Sequence, residues 1–132
     1  MKRGEAVVAF CVLSFYALIE FIWISTMRPF YDRSFDAIQP LLAGKRYKVL
    51  PAVLCYIILF LVVYVFIIRA RASIIEAVAF ALAVYGIYNL TNMATLQGYS
   101  WVVAVVDVAW GTFAMVAVSL CSTYCRRILN VP

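Results

Sequence analysis

The chain has 132 residues and a formal net charge of +5, and 67% of its residues are hydrophobic while only 13% are charged. An average globular domain is about half apolar and about a quarter charged, so this chain has too few polar side chains to cover a water-soluble surface. The composition excludes a soluble enzyme, a disordered tail and a nucleic-acid-binding domain, and it indicates one domain, residues 1–132, embedded in a lipid bilayer.

The cationic residues lie between or outside the apolar runs, as in a multispanning protein whose exposed edges meet anionic lipid headgroups. No basic stretch stands clear of those runs, so the charge favours lipid and not nucleic acid as the partner. The absence of histidine excludes histidine bases and histidine-ligated metals within this chain. The four cysteines form no C-x-x-C pair and are interpreted as small apolar side chains, with acylation of the last two as the alternative. They are Cys11, Cys55, Cys121 and Cys125.

Four apolar runs are each long enough to cross a bilayer core of about 30 Å, which takes about 20 helical residues. Every backbone N–H and C=O group in hydrocarbon must be satisfied internally, so the runs predict helices and not open strands. The first run is expected to be a retained helix and not a signal peptide, because it is too long and contains Glu20. The predicted fold is an all-α, four-helix transmembrane bundle, with helices at about residues 6–26, 49–68, 74–96 and 101–124.

The connections at residues 69–73 and 97–100 are short, so each joins antiparallel neighbours. The first connection, between Met27 and Lys48, is long enough to hold structure of its own. Its apolar residues at helical spacing predict a short amphipathic helix in the membrane interface, ending near Pro40, with an irregular polar loop as the alternative. The residues at this spacing are Tyr31, Phe35, Ile38 and Leu42.

Polar residues of several helices are predicted to share one depth in the membrane. Four spans place both termini on one side, here named side A, and the helical rise then puts Glu20, Asn89 and Asp107 roughly 9 to 12 Å below the opposite side B. Since polar groups in hydrocarbon are costly, they should face the bundle interior and bond to one another. The predicted intramembrane polar cluster consists of Glu20, Tyr56, Tyr88, Asn89, Asn92, Asp107 and Trp110.

Two interpretations of this cluster compete. It is either a hydrogen-bonded clamp that locks helices 1, 3 and 4 together, or a site where Glu20 and Asp107 handle protons, cations or a polar ligand. Interhelical hydrogen bonds are worth only about 0.6 kcal/mol each, which is a weak reason to bury acids and keeps the transport interpretation open. An acid–base enzyme, such as a lipid-modifying one, lacks an accompanying nucleophile, metal cluster or phosphate loop, so no catalytic residue, metal or cofactor is predicted.

Helices 3 and 4 carry two motifs that resemble a known family. Residues 85–96 read YGIYNLTNMATL and residues 106–112 read VDVAWGT. They are similar to the signature Tyr-Asp-Leu-Thr-Asn-x-Ala-Thr-Leu, then Val-Asp-x-Ala-Trp-Gly, of a family of small four-helix membrane proteins, a domain of unknown function found mainly in bacteria. Residues 19–24, 30–31 and 51–56 fit as well. Glu20 and Asn89 stand where the family usually has aspartate, so one acid of that pattern is replaced by an amide here.

The resemblance implies an integral, multipass membrane protein without an assigned reaction or ligand. It extends to relatives in large DNA viruses, which implies the internal membrane of a virus particle as one setting and the cell membrane as the other. Residues and resemblance together predict a non-enzymatic structural or binding component of a membrane, with protein partners contacting the segment between Met27 and Lys48 or with packing into a homo-oligomer. The alternative is a small proton- or cation-coupled transporter or channel that uses Glu20 and Asp107.

Overall fold

The computed structural model describes residues 3–35, 38 and 48–131. Within these ranges four helices are long and apolar enough to cross a membrane. They are α1 Arg3–Phe35, α2 Val49–Arg69, α3 Ile74–Thr95 and α4 Trp101–Ile128. The all-α, four-helix fold predicted from the sequence is confirmed, and the bounds of α2 and α3 lie close to the predicted ones.

The first helix is longer than its apolar run. α1 passes through Pro29 and continues to Phe35, so the separate interfacial helix predicted for this segment is wrong in its first half, which is the end of α1. Arg28 and Asp32, one turn apart, form an ion pair at 3.6 Å that supports the helix beyond the apolar residues. The 33 residues of α1 span about 50 Å, more than the hydrocarbon core, so α1 either tilts or extends past it. Pro40 and Leu42 lie outside the described residues.

The two helix ends on side A finish with the same backbone motif. After α2, the N–H of Ala72 donates to the Ile67 carbonyl at 3.0 Å. The N–H of Arg71 donates to the Ile68 carbonyl at 3.3 Å, and Arg71 has the left-handed φ of 57° that this geometry requires. The same pair of bonds closes α4 around Asn130, whose φ is 49°. These Schellman motifs satisfy carbonyls that would otherwise lack partners at the end of each helix.

Ser73 and Ser100 stand directly before α3 and α4, which start where the sequence predicted these helices to start. Ser73 Oγ accepts a hydrogen bond from the Glu76 N–H at 3.3 Å, and the Glu76 carboxylate accepts one from the Ser73 N–H at 2.7 Å. This reciprocal capping box satisfies two backbone donors of the first turn of α3. Ser100 caps α4 through one longer bond, in which its Oγ accepts from the Val103 N–H at 3.5 Å.

Replacing the α3 cap is expected to destabilise the protein. Ser73→Ala removes the acceptor for the Glu76 N–H and should lower the free energy of unfolding by about 1 kcal/mol. Ser100→Ala serves as the comparison and should have a smaller effect, because the bond it removes is longer. Unfolding of both variants in detergent, followed by circular dichroism, measures the difference, and equal stability of Ser73→Ala and the unchanged protein would contradict the capping box.

The apolar core lies mainly towards side A, where all four helices meet. Small residues of α3 and α4 there, including Ala77, Ala81 and Ala114, are fully buried and allow close helix approach. α2 contributes its C-terminal part to this core, whereas residues 49–58 are all exposed. α2 and α3 each contain a π-helical segment, at Tyr64–Arg69 and Leu82–Gly86, a feature that is frequent at functional sites.

Candidate functional site

Asp107 of α4 joins three helices through its carboxyl group. Its Oδ2 accepts a hydrogen bond from the side-chain amide of Asn89 in α3, at 2.6 Å. Its Oδ1 accepts one from the hydroxyl of Tyr31 in α1, at 3.2 Å. Because each oxygen is bonded to a different helix, the carboxyl group has a fixed orientation between α1 and α3.

Glu20 of α1 is buried and bonded to α4, since Trp110 Nε1 donates to its Oε1 at 3.0 Å. The Trp110 indole stacks on that of Trp23, with ring centroids 4.2 Å apart and planes 2° from parallel. Trp23 Nε1 in turn donates to the Tyr31 hydroxyl at 3.3 Å. Three hydrogen bonds and one ring stack therefore connect the Glu20 carboxyl to that of Asp107.

Asn89 holds the α3 side of the cluster and is 1% exposed. Its amide nitrogen donates to Asp107 and also to the Tyr85 carbonyl, at 2.9 Å, and its oxygen accepts a bond from the Tyr99 hydroxyl at 2.7 Å. An asparagine side chain has two N–H donors and one carbonyl oxygen, so both donors and the oxygen are in use. An aspartate at this position could not donate to Asp107 unless it were protonated.

Tyr85 extends the cluster towards side A and α2. Its ring lies against the backbone of Gly111, where a Cβ atom would overlap the ring. The Tyr85 hydroxyl shares a hydrogen bond of 3.1 Å with the hydroxyl of Tyr16, which is fully buried. The Tyr16 ring packs on Phe60 of α2, with centroids 5.2 Å apart. A glycine at position 111 is therefore what allows α3 to place an aromatic ring directly on α4.

The structure brings four of the predicted cluster residues into this hydrogen-bonded group: Glu20, Asn89, Asp107 and Trp110. Asn92 is half-buried and lies beside the Tyr99 hydroxyl. Tyr56 and Tyr88 are 37% and 57% exposed, and neither has a hydrogen bond within the described part of the chain. Tyr56 belongs to the part of α2, residues 49–58, in which every residue is exposed. Tyr88 directly precedes the buried Asn89, and successive side chains of a helix are about 100° apart, so Tyr88 lies on a different face of α3.

Tyr31 and Tyr99, which bond directly to Asp107 and Asn89, were missed because both fall in segments interpreted as connections. Tyr31 follows Glu20 by eleven residues, which is close to three helical turns, so it shares the Glu20 face once the helix is allowed to continue. That spacing is the signal that could have identified it. Tyr99 lies in the connection before α4, and its contact with Asn89 depends on the path of that connection, for which the sequence carries no periodic signal.

No group of three or more histidine, cysteine, aspartate or glutamate residues that could hold a metal ion occurs among the described residues. The available chemistry is that of two carboxyl groups surrounded by phenol, indole and amide donors. Such an arrangement can bind the helices to one another.

Residues 6–124 match the sequence model of a family described as "Predicted membrane protein (DUF2177)". The chain belongs to this family. The DUF2177 match includes the whole polar cluster, from Tyr16 to Gly111, and leaves out the outermost ends of α1 and α4. No curated protein and no solved structure matches the chain. Membership of DUF2177 and the four apolar helices together make the protein an integral, multipass membrane protein.

Proposed function

We propose that this DUF2177 protein is a non-enzymatic component of a membrane, in which the polar cluster is a clamp that holds α1, α3 and α4 in one arrangement. The observation that carries this proposal is the bonding of Asp107, whose two carboxyl oxygens accept hydrogen bonds from two other helices. A carboxyl group that accepts one hydrogen bond on each oxygen links the two helices that donate to it.

The bonding of the other buried groups supports the same proposal. Within the described residues, the buried side-chain nitrogen or oxygen atom that lacks a partner is Nε of Arg126, at the side A end of α4 and away from the cluster. A transport site needs open coordination positions or water beside its acids. Two cavities of the molecule are lined by residues at the side A end of the bundle, and neither is lined by Glu20 or Asp107.

A small proton- or cation-coupled transporter is the second candidate, and the connection between the two carboxyl groups favours it. The Tyr31 hydroxyl both accepts and donates a hydrogen bond, so it could pass a proton on. The connection is interrupted at the stacked indoles, because an indole N–H only donates. Proton transfer from Glu20 to Asp107 would therefore require Trp23 or Trp110 to move, which is a reason to prefer the clamp.

Ion flux through proteoliposomes separates the two candidates. The purified full chain is reconstituted into lipid vesicles, and protein-free vesicles serve as the reference. Internal pH and the fluxes of Na⁺ and K⁺ are followed after a pH or ion gradient is applied. We expect the protein to be silent, with the Glu20→Gln/Asp107→Asn double variant equally silent. Flux above the protein-free level that disappears in the double variant, but persists in the Tyr88→Phe control, would replace the clamp by a transporter.

The non-enzymatic part of the proposal is tested on the same vesicles. Incubation with radiolabelled phospholipids should give no product beyond that of protein-free vesicles, and no metal site accompanies the acids among the described residues. Product formation that requires Glu20 or Asp107 would assign a lipid-modifying activity and overturn the proposal.

A further inference from the structure

The side A end of the bundle contains a cavity of about 370 Å³ between the start of α1 and the ends of α2 and α4. It is lined by Glu5, Tyr64, Ile68, Arg69, Arg71 and Arg126. Three guanidinium groups and one carboxylate give the lining a net positive charge. The cavity lies far from the polar cluster along the helices, and the clamp makes no use of it.

A single carboxylate oxygen organises the cationic wall of this cavity. Glu5 Oε1 accepts a hydrogen bond from Arg126 Nη1 at 2.7 Å and a second from Arg71 Nη2 at 3.3 Å. One negative charge therefore holds two guanidinium groups close together, and Arg69 adds a third on the same wall. Guanidinium groups match the oxygen geometry of phosphate and bind it through paired hydrogen bonds.

Arg126 is buried and its hydrogen bonding is incomplete. It is 8% exposed, and its Nη2 donates to the Ile68 carbonyl at 3.1 Å. Its Nε atom is buried without a partner within the described residues. A buried donor without an acceptor is unfavourable, so an anionic oxygen beside this guanidinium would relieve a cost that the protein alone does not remove.

A second cavity of about 480 Å³ shares Arg71 and Arg126 with the first and adds Arg127 at the end of α4. The cationic wall is therefore accessible from two sides at the end of the bundle. Arginines at the ends of apolar helices lie near the headgroup region of a bilayer, where anionic lipids concentrate. Tyr64, which lines the first cavity, is an aromatic residue of the type enriched at that depth.

We propose that this cavity binds the phosphate group of an anionic membrane phospholipid, with Arg69, Arg71 and Arg126 as its ligands and Glu5 as the residue that positions two of them. Free inorganic phosphate has the same anionic chemistry and is the alternative source of the ligand. The acyl chains of a bound lipid would lie along the exposed apolar surface of the neighbouring helices.

Lipid retention by the full chain tests the proposal. Protein purified in detergent is incubated with equal amounts of phosphatidylglycerol and phosphatidylcholine, and bound lipid is measured by native mass spectrometry. We expect phosphatidylglycerol to be retained preferentially and Arg69→Gln to reduce its retention about fivefold. Arg69 is exposed at the cavity wall, so this variant should fold even if the buried Arg126 cannot be replaced.

The control variant removes one positive charge far from the cavity. Arg33→Gln alters an exposed arginine near the opposite end of α1 and should leave the retention of phosphatidylglycerol unchanged. Equal retention of the two lipids would overturn the lipid site, because retention would then not depend on the charge of the lipid. Equal losses in Arg33→Gln and Arg69→Gln would overturn it as well, because general surface charge would then explain the binding. Arg69-dependent binding of inorganic phosphate, without preferential retention of phosphatidylglycerol, would overturn the lipid as the ligand and assign the cavity to free phosphate.

Discussion

The substitution Gly111→Ala is expected to lower the free energy of unfolding by about 2 kcal/mol, within the range observed for overpacked cores. A Cβ atom at this position would overlap the Tyr85 ring. The ring cannot easily move away, because its hydroxyl is bonded to Tyr16, which is fully buried. The matched control is Gly86→Ala, since a Cβ there meets nothing within 4 Å. Alanine is preferred over glycine inside helices, so the control should be neutral or stabilising.

Unfolding in mixed micelles, followed by tryptophan fluorescence and circular dichroism, measures both variants. A third variant links the effect to its cause: in the Tyr85→Ala background, Gly111→Ala should cost little more, because the atoms that it would overlap are gone. A Gly111→Ala protein as stable as the unchanged one would show that α3 and α4 do not approach each other at Tyr85. An undiminished loss in the Tyr85→Ala background would place the clash elsewhere.

The end of α2 and the starts of α3 and α4 were predictable because charge and capping residues mark them. Ser73 and Ser100 stand directly before predicted helix starts, and each caps its helix. The end of α1 was not predictable in the same way. Hydropathy shows where a segment leaves hydrocarbon, whereas a helix continues as long as its backbone bonds and its i,i+4 pairs support it. Pro29 and the polar residues around it were interpreted as the start of a connection, although α1 passes through them.

For the polar cluster, depth could be predicted and lateral position could not. Depth follows from the helical rise alone, and it placed Glu20, Asn89 and Asp107 together. Tyr56 shows the limit of this reasoning. It was predicted to join the cluster, but it lies in the exposed part of α2 and is 37% exposed. Which face of a helix meets its neighbours depends on packing along the whole bundle, and the sequence of one helix does not contain that information.

The cationic cavity also depends on contacts between residues that are far apart in the sequence. Glu5 and Arg126 are separated by 121 positions in the sequence, near opposite ends of the chain. From the sequence, Arg126 was placed among the cations at the edges of the apolar runs, and Glu5 was assigned no role. Their contact requires α1 and α4 to be neighbours, which a connection-length argument cannot show for helices that are not consecutive.

Removal of the Asp107 side chain is expected to lower the free energy of unfolding by about 2 kcal/mol, because Asp107→Ala breaks bonds to two helices at once. The Tyr31 hydroxyl and the Asn89 amide then lose their common acceptor. Tyr31→Phe removes only the α1 bond to Asp107 and the one from Trp23, so its effect should be smaller, about 1 kcal/mol. Tyr88→Phe is the control, since Tyr88 is exposed and its hydroxyl has no hydrogen bond within the described part of the chain.

A double-mutant cycle in the same micelles then measures the contact between α1 and α4. Combining Tyr31→Phe with Asp107→Ala should be less costly than the sum of the single changes by about 0.6 kcal/mol, whereas Tyr88→Phe and Asp107→Ala should add. Additive effects at Tyr31 would contradict the bond at Asp107 Oδ1. Coupling of Asp107 to Tyr31 but not to Tyr88 would show that the C-terminal part of α1 is hydrogen-bonded to Asp107 of α4. A transport acid must exchange its partners during each cycle, so a persistent bond to Tyr31 is the property that distinguishes a clamp from a transporter.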